Sequence, residues 1–139
     1  MCSFLLKSYS PKQEISNPHF FILCKGNNSG KPLLSPCPNC FVIQFLCEEE
    51  KEQVYWLLYS LWQSRTFYPF LRGSVIPFIL LRDVKSCIND YLDKSQKSPE
   101  QFKKLIVSFQ SMNQIESQLM QNLKAIDKAK RMLLYQLIR

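Results

Sequence analysis

The sequence predicts an α+β protein in which a small mixed sheet with packed helices is followed by one long C-terminal helix of the coiled-coil type. Three observations lead to this class. Short apolar runs of strand composition occur in the first fifty residues, an aromatic-rich amphipathic segment follows them, and residues 98–139 contain no Gly and no Pro after Pro99. We therefore predict a small α+β domain over residues 1–97 and a long helix over residues 98–139.

The runs that predict the sheet come first in the chain. His19–Cys24 is typical of a strand, and it ends at residues 25–32, a segment rich in Gly, Asn and Lys that is typical of a loop. Phe41–Cys47 is almost wholly apolar, which indicates a central strand covered on both faces. We expect residues 1–17 to be a poorly ordered lead-in with one edge strand near Phe4–Leu6.

A helix buried against the sheet is predicted directly after the central strand. Acidic residues from Glu48 to Glu52 suit its first turn, because carboxylates are stabilised at the positive end of the helix dipole. Two neighbouring apolar stripes at helical spacing cover more than half of its circumference. The first stripe contains Val54, Leu57, Leu58 and Leu61, and the second contains Tyr55, Tyr59 and Trp62.

Two shorter elements are predicted after this helix. Val75–Leu81 has the composition of a strand, and Pro77 within it favours an edge position or a bulge. Asp83 is a candidate N-cap for a short helix. Its polar continuation, Asp93–Lys97, is interpreted as a linker into the long helix.

The long helix is predicted from a start signal and a seam of apolar residues. Ser98 suits the N-cap, Pro99 the first helical position and Gln101 the third. The apolar steps average about 3.5 residues, the period of a coiled coil, so we expect a second helix to cover the seam, from another copy or from a different partner chain. The seam residues are Phe102, Leu105, Phe109, Met112, Ile115, Leu119, Leu123, Ile126, Ala129, Leu133 and Leu137.

The net charge of +7 is concentrated in the C-terminal third of the chain. Residues 1–93 carry nine Lys and Arg against eight Asp and Glu, whereas residues 94–139 carry nine against three. This asymmetry favours a polyanion or an acidic protein as partner, while a solvated basic face is the alternative interpretation.

Enzymatic chemistry and bound cofactors are not predicted. His19 is the only histidine, and no nucleophile elbow, phosphate-binding loop or paired-acid motif occurs. No apolar run approaches the length of a membrane span, and Phe4–Leu6 is too short for the core of a signal peptide. We expect a cytoplasmic protein without membrane contact, in which the six cysteines are free thiols or metal ligands.

Cys37 and Cys40 form a Cys-x-x-Cys turn, which is half of many zinc sites. A second pair with ligand spacing is missing, so they are weak metal candidates and the prediction for metal is none. A small zinc-stabilised domain stays open as an alternative, and the protein is otherwise expected to fold without metal.

Three features from about Val54 to Ile138 occur in the order found in a known family. They are the aromatic-rich helix around Tyr55–Leu61, the segment Phe70–Pro77 with its Arg-Gly-Ser-Val-Ile-Pro sequence, and Pro99–Gln101 opening the long helix. Together they resemble the end of a target-recognition domain and the following helix in specificity subunits of type I restriction–modification systems. The first fifty residues are similar to an uncharacterised family of small bacterial proteins.

The resemblance implies a half-length specificity subunit that pairs through its C-terminal helix. In that family recognition domains read double-stranded DNA, and long helices pack antiparallel and dock methyltransferase subunits. Residues 1–97 would then be a recognition-like domain, and the alternative is an adaptor that binds a methyltransferase or a specificity subunit. From loop chemistry alone, the candidate DNA-binding residues are Lys25, Asn27, Asn28, Lys31, Arg65 and Arg72.

Overall fold

The structure, a computed structural model, describes residues 2–138 and confirms the α+β class. A four-stranded sheet precedes two packed helices and a forty-residue C-terminal helix. The strands are β1 (Phe4–Ser8), β2 (His19–Leu23), β3 (Pro32–Leu33) and β4 (Cys40–Phe45), and the α-helices are α1 (Glu48–Gln63), α2 (Leu81–Lys97) and α3 (Pro99–Ile138).

The sheet has the strand order β1-β4-β2-β3, and each of these pairings is antiparallel rather than mixed. The prediction that the run after Cys40 forms a central strand is confirmed, since β4 pairs with β1 on one side and β2 on the other. Ile43 is fully buried on the face that packs against the helices, and Val42 is fully buried on the opposite face. Tyr9 and Ile15 help to cover that opposite face, so the lead-in contributes to the core.

Helix α1 lies on the sheet through the first apolar stripe that the sequence predicts. Its buried residues contact β2, β3 and β4, while Glu48 to Glu50 occupy the first turn as expected. Full burial of each aliphatic side chain contributes about 1.5–3 kcal/mol, so this stripe is a main source of the domain's stability. The buried residues of the stripe are Val54, Leu57, Leu58 and Leu61.

The prediction of a strand over Val75–Leu81 is wrong. Arg72 and Phe78 exchange two backbone hydrogen bonds of 2.9 Å, and the residues between them form an exposed loop with Gly73 at φ 98°. Pro77 has no N–H to donate to a ladder, and a loop this short leaves Val75 and Ile76 in solvent. The apolar run therefore does not join the sheet.

The prediction of a linker over Asp93–Lys97 is also wrong, because α2 continues to Lys97. Those residues include no Gly or Pro, and the helix ends only at Ser98, where Pro99 disfavours helical geometry in the residue before it. Helix α2 begins at Leu81, so Asp83 lies in its first turn instead of capping it.

Helix α3 begins at Pro99 as predicted and continues to Ile138 without interruption. By its contacts the chain forms two compact units, one that ends at Ile106 and one that begins at Val107. Ile106 is the only residue of α3 that is buried among those described. No helix of residues 2–138 is long and apolar enough to cross a membrane.

Candidate functional site

Helix α1 ends in a turn that holds Arg65 in an unusual backbone conformation. The Thr66 N–H donates to the Leu61 carbonyl at 2.9 Å, and the Arg65 N–H donates to the Trp62 carbonyl at 3.1 Å. This pair of bonds defines a Schellman cap, in which the left-handed position is usually glycine. Here it is Arg65, with φ 60°, the only non-glycine residue with positive φ among those described.

The loop between β2 and β3 is fixed in place opposite this turn. Ser29 is buried, and its hydroxyl donates to the Gly26 carbonyl at 2.6 Å. Gly30 has φ 97°, its N–H donates to the Leu23 carbonyl at 2.7 Å, and its Cα lies so close to Phe67 that a Cβ would collide with the ring. The loop is therefore built on the aromatic core and has a defined shape.

The loop and the end of α1 enclose a cleft of about 430 Å³, which is within the size range of small-ligand sites. Its lining combines three side-chain amides, one guanidinium and one phenol, and it contains no carboxylate. We call this site the α1-end cleft. It is lined by Asn27, Asn28, Ser29, Trp62, Gln63, Arg65, Phe67, Tyr68 and Leu71.

Three of the six candidate DNA-binding residues come together in this cleft, because Arg65 lies near Asn27 and Asn28 although it is far from them in sequence. Lys31 is beside it, because its Nζ lies 4.8 Å from the ring centroid of Trp62, a lining residue. This distance permits a cation–π interaction.

The other two candidates, Lys25 and Arg72, do not line the cleft but share a backbone partner. Each forms an isolated bridge with Phe78. The Arg72 guanidinium also lies 3.9 Å from the Asp83 carboxylate, which offsets part of its charge. Arg72 is therefore a weaker candidate for a phosphate contact than Arg65, while Lys25 is exposed outside the cleft.

Sequence reasoning missed Trp62, Gln63 and Tyr68 as site residues. Trp62 belongs to a helical apolar stripe, a pattern that predicts only core packing. One feature of the sequence could have indicated Trp62 as a site residue, namely its position in the last turn of α1, just before the polar segment that begins at Gln63. Side chains there lie at the rim of the buried face.

The cysteine turn does not assemble a metal site in the described part of the chain. The Cys40 thiol donates to the Cys37 carbonyl at 3.1 Å, and the Cys37 thiol donates to the Asn39 carbonyl at 3.4 Å. Burial raises the pKa of the Cys40 and Cys24 thiols, so both are protonated at neutral pH. Within residues 2–138 no group of three His, Cys, Asp or Glu side chains is placed to hold a metal ion.

The seam of α3 beyond Ile106 is largely in solvent. Leu119 is 57% exposed, Leu123 is 66% exposed and Leu133 is 67% exposed, although all three are apolar. Phe102 is the exception near the start of the helix, because it packs against the core of the domain. Phe109 is half-buried, and the exposed members of the predicted seam are Leu105, Met112, Ile115, Leu119, Leu123, Ile126, Ala129, Leu133 and Leu137.

The fold and these two features define an α+β protein with a polar cleft and a long helix that exposes an apolar seam. Residues 6–136 match a family of unknown function, DUF6943, and the chain belongs to that family. No curated protein and no solved structure matches the chain. The resemblance to specificity subunits stays a prediction.

Proposed function

We propose that this protein is a non-catalytic DNA-recognition module that pairs with a second copy through α3, in the manner of a half specificity subunit. The observation that carries the proposal is the uncovered apolar seam of α3 beyond Ile106. Solvated monomers seldom keep a contiguous apolar stripe of this length, because burying it is favourable. A second helix with the same seam provides a matching surface.

Charges at the border of the seam favour one direction of pairing. A strict seven-residue repeat counted from Phe102 falls on Glu116 and Lys130, which directly follow the seam residues Ile115 and Ala129, and Leu123 lies midway between them. Parallel helices in register would bring Glu116 against its own copy and Lys130 against its own copy. Antiparallel helices centred near Leu123 instead bring Glu116 of each helix beside Lys130 of the other. Opposite charges favour this arrangement, and like charges disfavour the parallel one.

The same arrangement uses the whole solvent-exposed length of the helix. Leu123 is at the centre of residues 107–139, the segment that forms the second compact unit. In an antiparallel pair centred there, residues 107–139 of one chain lie alongside residues 107–139 of the other over their full length. Pairing also doubles the number of α1-end clefts in each particle, which suits recognition of a repeated or two-part ligand.

Support for DNA as the ligand comes from charge and from the chemistry of the cleft. Basic residues on α3 such as Lys124 and Lys128 are exposed and lie outside the seam positions, where they are available to phosphates. Asn27, Asn28 and Arg65 are residue types that bind base edges, and they converge in one cleft without a carboxylate.

The test is a titration of labelled duplex DNA at several salt concentrations, with the Lys124→Gln, Lys128→Gln variant as comparison. If about three to five phosphates are neutralised, log affinity falls against log salt with a slope of roughly −3 to −5. Removing the two lysines should reduce the slope by about two. Absence of duplex binding at about 50 mM salt, where such contacts are strongest, contradicts the DNA proposal.

The adaptor function is the second candidate, and the same uncovered seam supports it. In that case a helix of a methyltransferase or a specificity subunit covers the seam instead of a second copy. A monomeric protein with intact helix content that binds no duplex would favour the adaptor over the recognition module.

A further inference from the structure

We propose that the α1-end cleft binds a single unstacked nucleobase of a DNA strand, with the adjoining phosphate on Arg65 or Lys31. This inference rests on the proposed function and specifies the form in which DNA enters the site. The cleft is open on one side and has a volume of about 430 Å³, which fits one base and is too small for a duplex.

The hydrogen-bonding groups of the cleft suit the edge of a base. The side chains of Asn27, Asn28 and Gln63 are exposed and make no hydrogen bond to any described residue. Each amide offers two donor hydrogens and one acceptor oxygen. Base edges alternate donors and acceptors in the same way, so uncommitted amides match them better than a cluster of charges would.

Aromatic side chains provide a stacking surface in the same cleft. Tyr68 is 66% exposed at the start of a short 3₁₀ helix, Tyr68–Phe70, and Trp62 presents a half-buried ring. Single-stranded nucleic acids are commonly held by bases that stack on such rings. A base paired within a duplex is already stacked on its neighbours, so only an unpaired or extruded base reaches this surface.

The charge of the cleft matches the phosphate that accompanies a base. Arg65 lines it, Lys31 lies on the Trp62 ring, and no lining residue carries a carboxylate. Arg65 also holds left-handed geometry in which glycine is the favoured residue. Residues in strained backbone conformations cluster at binding sites, so this geometry supports a ligand for the guanidinium.

The site is formed before the ligand arrives. Ser29 and Gly30 fix one wall through hydrogen bonds within the loop and close packing on Phe67, and the Schellman cap fixes the other. Preformed walls lower the conformational cost of binding.

The experiment compares a labelled short single strand with the same strand in which central nucleotides are abasic, by fluorescence anisotropy. We expect the abasic strand to bind about tenfold more weakly, since each stacked base contributes on the order of 1–3 kcal/mol. Tyr68→Ala should cause a similar loss with the normal strand and no loss with the abasic one, while Tyr68→Phe keeps the ring and should bind normally.

Matched control variants distinguish binding in the cleft from nonspecific electrostatic attraction to DNA. Asn28→Ala with Gln63→Ala should weaken binding of the normal strand, whereas Asn89→Ala, which removes an exposed amide on α2, should not. A duplex with one unpaired nucleotide should bind more tightly than the intact duplex, because only an unpaired or extruded base reaches the stacking surface; equal affinity would count against the inference.

Equal affinity for the normal and abasic strands would overturn this inference. Salt-dependent duplex binding and pairing through α3 would survive that result, so failure of the cleft is distinguishable from failure of the proposed function. If the unmutated protein bound neither single-stranded nor duplex DNA, that result would contradict both this inference and the proposed function.

Discussion

Arg65 allows the backbone and the side chain of one residue to be tested separately. Its φ of 60° at the left-handed position of the Schellman cap costs an L-residue about 1–2 kcal/mol relative to glycine. Replacing it by Gly removes that cost but gives the unfolded chain more freedom, which offsets roughly 0.4–1 kcal/mol. The net expectation for Arg65→Gly is a protein more stable by about 0.5–1 kcal/mol, or about 2–4 °C in Tm.

The matched control is Arg65→Ala, which removes the same guanidinium but keeps a Cβ and therefore the backbone cost. Arg65 is exposed and makes no ion pair among the described residues, so its own side chain contributes little to stability. Both variants should lose DNA affinity to the same extent, while only the glycine variant gains stability in urea unfolding. An Arg65→Gly protein no more stable than the alanine variant would refute the argument.

Three further predictions concern packing, pairing and pH. Gly30→Ala should destabilise the domain by at least about 2 kcal/mol in urea unfolding, because a Cβ there meets the Phe67 ring and φ is 97°. A melting temperature equal to that of the parent protein would contradict the close contact between Gly30 and Phe67. Glu116→Lys should weaken pairing in sedimentation, and adding Lys130→Glu should restore it if the helices are antiparallel; no rescue by the double exchange would exclude that direction. Burial raises the pKa of the Cys2 thiol from 9.0 to about 11. The contribution of the buried thiol to stability is therefore present below pH 9.0 and is lost as the pH rises toward about 11. The rate of Cys2 alkylation, followed by mass spectrometry, should rise across the same interval.

Periodicity is the reason that the larger elements could be predicted. The apolar runs of β2 and β4 and the helical stripe of α1 reflect burial in the core, and the period of α3 is visible in the sequence although its seam is exposed. Strand β3 has only two residues, Pro32 and Leu33, and is defined by pairing with β2, which no local pattern encodes. The run Val75–Leu81 shows the reverse, because its strand composition is not matched by a neighbouring ladder.

The cleft was only partly predictable for a similar reason. Loop chemistry indicated Asn27, Asn28 and Arg65 as binding residues, and the structure brings these three together. Tyr68 and Gln63 carry no sequence signal of their own, since their place in the site depends on where α1 stops and on how Phe67 packs under Gly30. Long-range packing of that kind is set by the whole fold.

The central claim is that α3 pairs with a second copy, and sedimentation equilibrium of the full chain at micromolar concentration tests it most directly. The unmutated protein should sediment as a dimer, and Leu119→Glu with Leu123→Glu should sediment as a monomer, because charges would enter the seam. Lys124→Glu with Lys128→Glu adds the same two carboxylates outside the seam and should leave the dimer intact. A monomeric unmutated protein with full helix content would contradict the account.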